Sequence, residues 1–116
     1  MVSFSAKLIA IFSLLFVSAN TVAEGRANHF DVKYVRVDRN GKGYVVFDKP
    51  LANSPASCGV SHKNHLSFNA STAQGQAVLS LVLTAHTANK KIQAYGTNNC
   101  PDYGSVEAWN WGFIVK

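Results

Sequence analysis

Residues 71–95 constrain this chain most, because they hold its one strong helical pattern beyond the first 23 residues and a strand directly after it. Within QAVLSLVLTAHTANKKIQAY (76–95), Val78, Leu81, Val82 and Ala85 recur at i, i+3, i+4 and i+7. That is the stripe of a helix packed on a core. Leu79 and Leu83 widen the stripe, and Ser80, Thr84 and Thr87 cover the rest of the circumference. Ser71 and Gln74 have capping-box spacing, which predicts a helix start with Ser71 as the cap. Gly75 costs such a helix about 1 kcal/mol against alanine. Asn89 suits a left-handed residue after the last turn, and Lys90 and Lys91 complement the negative end of the helix dipole. Residues 92–95 then read as a strand after a very short turn.

The chain opens on a targeting pattern. Lys7 is the only charge among residues 1–23, residues 8–17 (LIAIFSLLFV) are apolar apart from Ser13, and small and polar residues follow as far as Ala23. This is the order of a secretory signal peptide. The apolar run falls short of the roughly 20 residues a membrane span needs. Cleavage is expected after Ala23, with Ala19 as the alternative, so that 1–23 is leader and 24–116 a single small domain. The expected location is secreted or periplasmic, with no membrane span in the processed protein. Both cysteines, Cys58 and Cys100, lie in the exported part and most simply form one disulfide. Closing that loop is worth roughly 4 kcal/mol in the chain-entropy model. With no C-x-x-C pair, a thioredoxin-like redox role has no support.

The rest of the chain reads as β-structure. Residues 24–28 are polar and expected to fray. Residues 29–38 (HFDVKYVRVD) alternate, with a change of apolar face near Tyr34 and Val35 that implies a bulge or bend. Asn40-Gly41 is the strongest short hairpin signal, and residues 43–48 (GYVVFD) return as a strand. Residues 49–57 hold two prolines and form a surface loop. Residues 65–68 read as a short third strand. After the helix and the fourth strand, residues 96–105 form a loop, and residues 106–115 (VEAWNWGFIV) form the last strand. Its period-two pattern puts Trp109, Trp111, Phe113 and Val115 on one face. There are no repeats and no low-complexity tracts. The fold class is therefore mainly β with one helix, in the order β-β-β-α-β-β. That is the element order of a small five-stranded OB-type barrel, with the helix between the third and fourth strands. The alternative is an open α+β sandwich with the helix on one sheet face.

Residues 81–100 (LVLTAHTANKKIQAYGTNNC), then Ser105-Val106-Glu107 and an aromatic final strand, resemble a group of small secreted bacterial proteins similar in layout to the B subunit of subtilase-type AB5 toxins. The resemblance implies an OB-type fold, a non-enzymatic binding role and a homo-oligomeric, ring-forming context. The chain departs from the toxin subunit in having one cysteine pair, and no sugar-binding residue is carried over.

Charge limits the partners. With 11 Lys+Arg against 6 Asp+Glu, the formal net charge is +5. The excess favours a glycan or another anionic surface ligand, and equally serves solubility alone. Nucleic acid is a weaker expectation because the chain is exported. The candidate ligand-binding residues lie on two loops that flank the ligand face of OB-type barrels. Arg36, Arg39, Asn40 and Lys42 sit on and beside the first hairpin; Asn98, Asn99, Asp102 and Tyr103 sit on the loop between the last two strands. The competing reading is two ordinary hydrophilic turns. Trp109 and Trp111, with Tyr95 and Tyr103, could form a stacking platform, but two tryptophans on an apolar face read first as core. His62 and His65, beside Cys58, lack the further donors a metal needs. Either His62 or His65, with Lys63, could instead serve acid–base work on a phosphodiester in a small secreted nuclease. Against that, His86 beside the stripe reads as a packing residue. Asn69-Ala70-Ser71 matches a glycosylation sequon, but Ser71 is already assigned as the cap. No closely paired carboxylates, Gly-rich phosphate loop or Gly-x-Ser-x-Gly motif is present. The expectation is no catalytic residue, no metal and no cofactor.

Overall fold

The computed structural model describes residues 24–53 and 56–116. The expected leader and its cleavage positions lie outside these residues, as do Ser54 and Pro55 of the 49–57 loop. The chain folds as β1 (Arg26–Phe30), β2 (Val32–Val37), β3 (Lys42–Phe47), a 3-10 turn (Ser57–Gly59), β4 (His65–Asn69), α1 (Ala73–Ala88), β5 (Lys91–Gly96) and β6 (Trp109–Val115). It is mainly β with one helix.

What read as one strand over 29–38 is two. The backbone enters the left-handed region at His29 (φ 56°), and the register shifts again between Val32 and Tyr34. The chain thereby leaves one sheet and enters the other at Asp31. The strand also starts earlier than expected. Arg26 exchanges backbone hydrogen bonds with Ala52 at 3.0 and 2.8 Å, so 26–28 are paired rather than frayed. The Asn40-Gly41 hairpin forms as expected. Gly41 takes φ 88°, conformational space that glycine enters without a Cβ penalty, and the Asn40 Oδ1 accepts from the Lys42 N–H at 3.1 Å.

Two three-stranded antiparallel sheets result, ordered β1-β5-β6 and β2-β3-β4. One parallel bridge, Ser67 to Ala108, touches between them. Among the described residues no ladder closes them into a barrel, and the arrangement fits the open α+β alternative. Inward residues of both sheets and one face of α1 share a core. Val45, Phe47, Leu66, Ile92, Val82 and Ala85 are all fully buried, with Val78 and Leu81 packed against them. Four fully buried aliphatic side chains and a phenylalanine are each worth about 1.5–3 kcal/mol in transfer terms.

The helix start differs from the reading. Thr72, not Ser71, is the cap, and its hydroxyl accepts from the Gly75 N–H at 3.0 Å. Ser71 instead turns back onto the Asn69 side chain. The Gly75 that looked costly is required: a Cβ there would lie 1.7 Å from the Asn69 carbonyl oxygen. The other end is as expected, with Asn89 left-handed (φ 56°, ψ 46°) and its N–H directed to the Ala85 and His86 carbonyls. The disulfide joins Cys58 in the 3-10 turn to Cys100 in the β5–β6 loop, Cα atoms 6.3 Å apart.

Candidate functional site

Alternation along the β2-β3-β4 sheet decides which side chains meet on its outer face. Cross-strand register aligns Arg36, Tyr44 and Ser67 in one row, and Val46 with Tyr34 and His65 in the next. Val45 and Leu66 point the other way into the core. The β5–β6 loop folds over this face, and two of its residues bond to it. Asp102 accepts from the Ser67 hydroxyl at 2.9 Å, and the Tyr103 hydroxyl donates to Asp38 at the foot of the hairpin.

The contacts continue from side chain to side chain. The Arg36 Nε donates to Asp38 at 2.7 Å and its Nη1 to the Tyr44 hydroxyl at 2.8 Å, while its guanidinium lies 5.3 Å from the Tyr44 ring centre. Tyr44 meets Tyr103 edge-on at 5.5 Å and His65 at 4.9 Å. His65 meets His62 at 5.0 Å. The His62 Nδ1 lies 3.1 Å from the Ser105 carbonyl, so the protonated nitrogen donates to the same loop that carries Tyr103. A band of Arg36, Tyr44, Tyr103, His65 and His62 thus crosses the sheet.

Its electrostatics follow from these contacts. The Asp38 carboxyl is held below the usual carboxylate range, first by the Tyr103 hydroxyl and then by Arg36. Tyr103 is pushed above the usual tyrosine range, first by burial and then by Asp38 accepting its proton. His65 is lowered, first by burial and then by the neighbouring His62. Its Nδ1 is buried without a hydrogen-bond partner among the described residues. The band therefore presents the Arg36 guanidinium paired with the Asp38 carboxylate, the His65 imidazole, whose protonated form is disfavoured, and the Tyr103 phenol, whose ionised form is disfavoured. These groups suit a ligand with hydroxyls, an acidic group and apolar ring faces.

The eight residues singled out in the sequence separate into two sets. Arg36, Asp102 and Tyr103 come together here, and Lys42 stands in the adjoining row opposite Asn69. Arg39 and Asn40 are exposed at the hairpin tip, where Asn40 stabilises the turn. Asn98 and Asn99 serve the loop's own backbone. The Asn98 N–H donates to Glu107 at 3.0 Å, and the Asn99 carbonyl accepts from Ala108 at 2.9 Å.

Tyr44, Asp38, His65 and Ser67 are members that sequence reasoning did not unite. The signal for Tyr44 was its period-two relation to Lys42 across the hairpin from Arg36. Glu107 was also missed. It is 1% exposed, and its carboxylate accepts from the N–H groups of Gly25, Ala56 and Asn98 at 2.9–3.2 Å. A lone acid between Val106 and Ala108 was the only hint of it.

The last strand corrects the expected common face. Tyr95 pairs with Trp111 but Gly96 pairs with Trp109, so Asn110 is a bulge and alternation resets. Trp109 packs against the core, whereas Trp111 is 51% and Phe113 45% exposed. The remaining histidines stand elsewhere, with the His86 Nδ1 3.1 Å from the Val32 carbonyl. Among the described residues, no group of three or more His, Cys, Asp or Glu side chains could hold a metal ion, and no helix is long and apolar enough to cross a membrane. No family model matches the chain, and no curated protein or solved structure matches it.

Proposed function

We propose that this chain is an exported, non-enzymatic binding module of OB type that holds an acidic glycan on the outer face of its β2-β3-β4 sheet. The observation that carries this reading is the junction of the first hairpin with the β5–β6 loop. Arg36 and Tyr44 from the one meet Tyr103 from the other, all linked through or beside Asp38. Arg36 would bind the carboxylate of an acidic sugar. Tyr44 and Tyr103 would take its apolar ring face, and His65 and Ser67 its hydroxyls.

Connectivity supports the OB assignment. The chain passes from one sheet to the other at Asp31, between β1 and β2, and Ala108, just before β6, bridges to Ser67 of β4 in parallel. A barrel of this type brings together the same strand pairs. Export is supported by the apolar leader in the sequence and by the Cys58–Cys100 disulfide. The resemblance of residues 81–100 to AB5 toxin B subunits implies a non-enzymatic binding role.

The test is a glycan array probed with the processed protein. The reading predicts retention by acidic sugars and at least a tenfold loss with Arg36→Ala, the scale of one charge-assisted contact. Retention by no glycan, or retention that Arg36→Ala leaves intact, contradicts it. An oligonucleotide is the second reading, because the face mixes Arg36 and Lys42 with Tyr44 in the manner of single-strand binders. It predicts affinity for short single strands that falls steeply as salt rises.

A further inference from the structure

Sheet edges present unpaired backbone N–H and C=O groups, and proteins shield them with charge, proline, bulges or a covering segment. Three of the four edges here are shielded. On β2, Lys33 and Arg36 are exposed and a bulge follows Val32. On β1, Arg26 is bonded to Ala52 and His29 breaks the strand. On β4, the Ser67 N–H donates to the Glu107 carbonyl at 2.8 Å. The fourth edge, β6, differs. It is the outer strand of its sheet, and Trp109–Val115 (WNWGFIV) holds no charge and no proline. Beyond the bulge at Asn110, no described residue outside its own sheet bonds to its backbone.

The outer face of this edge is aromatic. Arg26 lies 5.5 Å from the Tyr95 ring centre. Tyr95 stacks on Trp111 at 4.3 Å with 15° between planes, and Trp111 lies 6.2 Å from Phe113. This row crosses β1, β5 and β6 in order, so it ends on an indole at the open edge.

We infer that β6 is the contact between two copies of this chain, paired antiparallel about a two-fold axis. The partner is a second copy because the edge complements itself. Its hydrogen-bonding groups are those of a strand that needs an antiparallel neighbour. Trp111, Phe113 and Val115 share one face beyond the bulge, so a two-fold pairing brings three uncharged side chains of each copy together. A chain of net charge +5 associates with itself best where it carries no charge, and β6 is such a strand. Pairing of β6 with the β2 edge of another copy would instead be a heterologous contact, which continues into a ring or an open filament rather than stopping at two copies. One strand edge lies at the small end of stable interfaces, so the dimer is reversible. The inference is independent of the glycan reading, whose residues lie on the outer face of the β2-β3-β4 sheet and on the loop that covers it.

Sedimentation equilibrium of the exported, disulfide-bonded protein tests it across a concentration series at low and high salt. The expected result is a shift from one to two monomer masses, stronger at high salt because screening relieves like-charge repulsion. Phe113→Lys and, separately, Val115→Lys are expected to remain monomeric with unchanged far-ultraviolet circular dichroism. The inference is overturned by a monomer at all concentrations up to about 1 mM, by a mass of five copies, or by a dimer that persists in either folded variant.

Discussion

Glu107 joins more of the chain than any other single side chain. Its carboxylate accepts backbone N–H groups from before β1, from the loop after β3 and from the loop after β5. It also requires Gly96, where a Cβ would lie 1.8 Å from its Oε2. Glu107→Gln replaces one acceptor oxygen by a donor facing those amides, so denaturant unfolding should show a loss of about 3 kcal/mol. A loss below about 0.5 kcal/mol, the scale of an ordinary surface change, would contradict this role.

Two pH effects belong to the same scale. Tyr103 has its folded-state pKa raised by burial and by Asp38. Its contribution to stability is complete below the ordinary tyrosine range and is lost as pH rises through the folded value. Ultraviolet titration should show a late tyrosinate step that Tyr103→Phe removes. His65 is lowered by burial and by His62. Its neutral form stabilises the fold above the ordinary histidine range, and that contribution is lost as pH falls through the folded value. His62→Ala should raise the His65 midpoint followed by NMR; an unchanged or lower midpoint would show that His62 does not act on it.

At the scale of elements, the helix was the most legible part of the sequence, because a 3.6-residue apolar repeat depends only on local order. Val78, Leu81, Val82, Ala85 and the Asn89 terminus are where the pattern placed them, whereas Leu83, expected to widen the stripe, is exposed. Its first turn was not legible. Ser71 and Thr72 are both good caps, and only the return of the chain from β4 selects Thr72. Thr72→Ala should therefore cost about 1 kcal/mol by thermal or chemical unfolding, and Ser71→Ala clearly less. Gly75→Ala is a sharper case. Helix propensity alone makes it favourable by about 1 kcal/mol, whereas the Asn69 carbonyl makes it destabilising. A stabilised Gly75→Ala protein would refute that packing. The strands were legible in position but not in face. A single bulge at Asn110 separates Trp109 from Trp111, and period-two reasoning carries no signal for an inserted residue.

At the scale of the molecule, the direct junction of β1 and β2 at Asp31 and one disulfide between loops hold two three-stranded sheets around a shared core. The order of elements could be read from turn residues and periodicity, but their number could not, because the break at Asp31 divides what read as one strand into β1 and β2. Sheet partnership could not, because pairing between distant strands depends on long-range contacts. The same limit applied to the site. The idea that the first hairpin and the last loop share a face was legible, and Arg36, Asp102 and Tyr103 do meet there. Asn98 and Asn99, equally polar and in the same loop, are used by the backbone instead, and nothing in their local sequence separates them from Asp102 and Tyr103.

The decisive measurement is the affinity of residues 24–116 for acidic glycans, compared side by side for the native chain, Arg36→Ala and Trp111→Ala. Arg36→Ala is expected to lose binding while Trp111→Ala, on the other sheet, keeps it. Binding that survives Arg36→Ala and disappears with Trp111→Ala would rule out the β2-β3-β4 face as the glycan site.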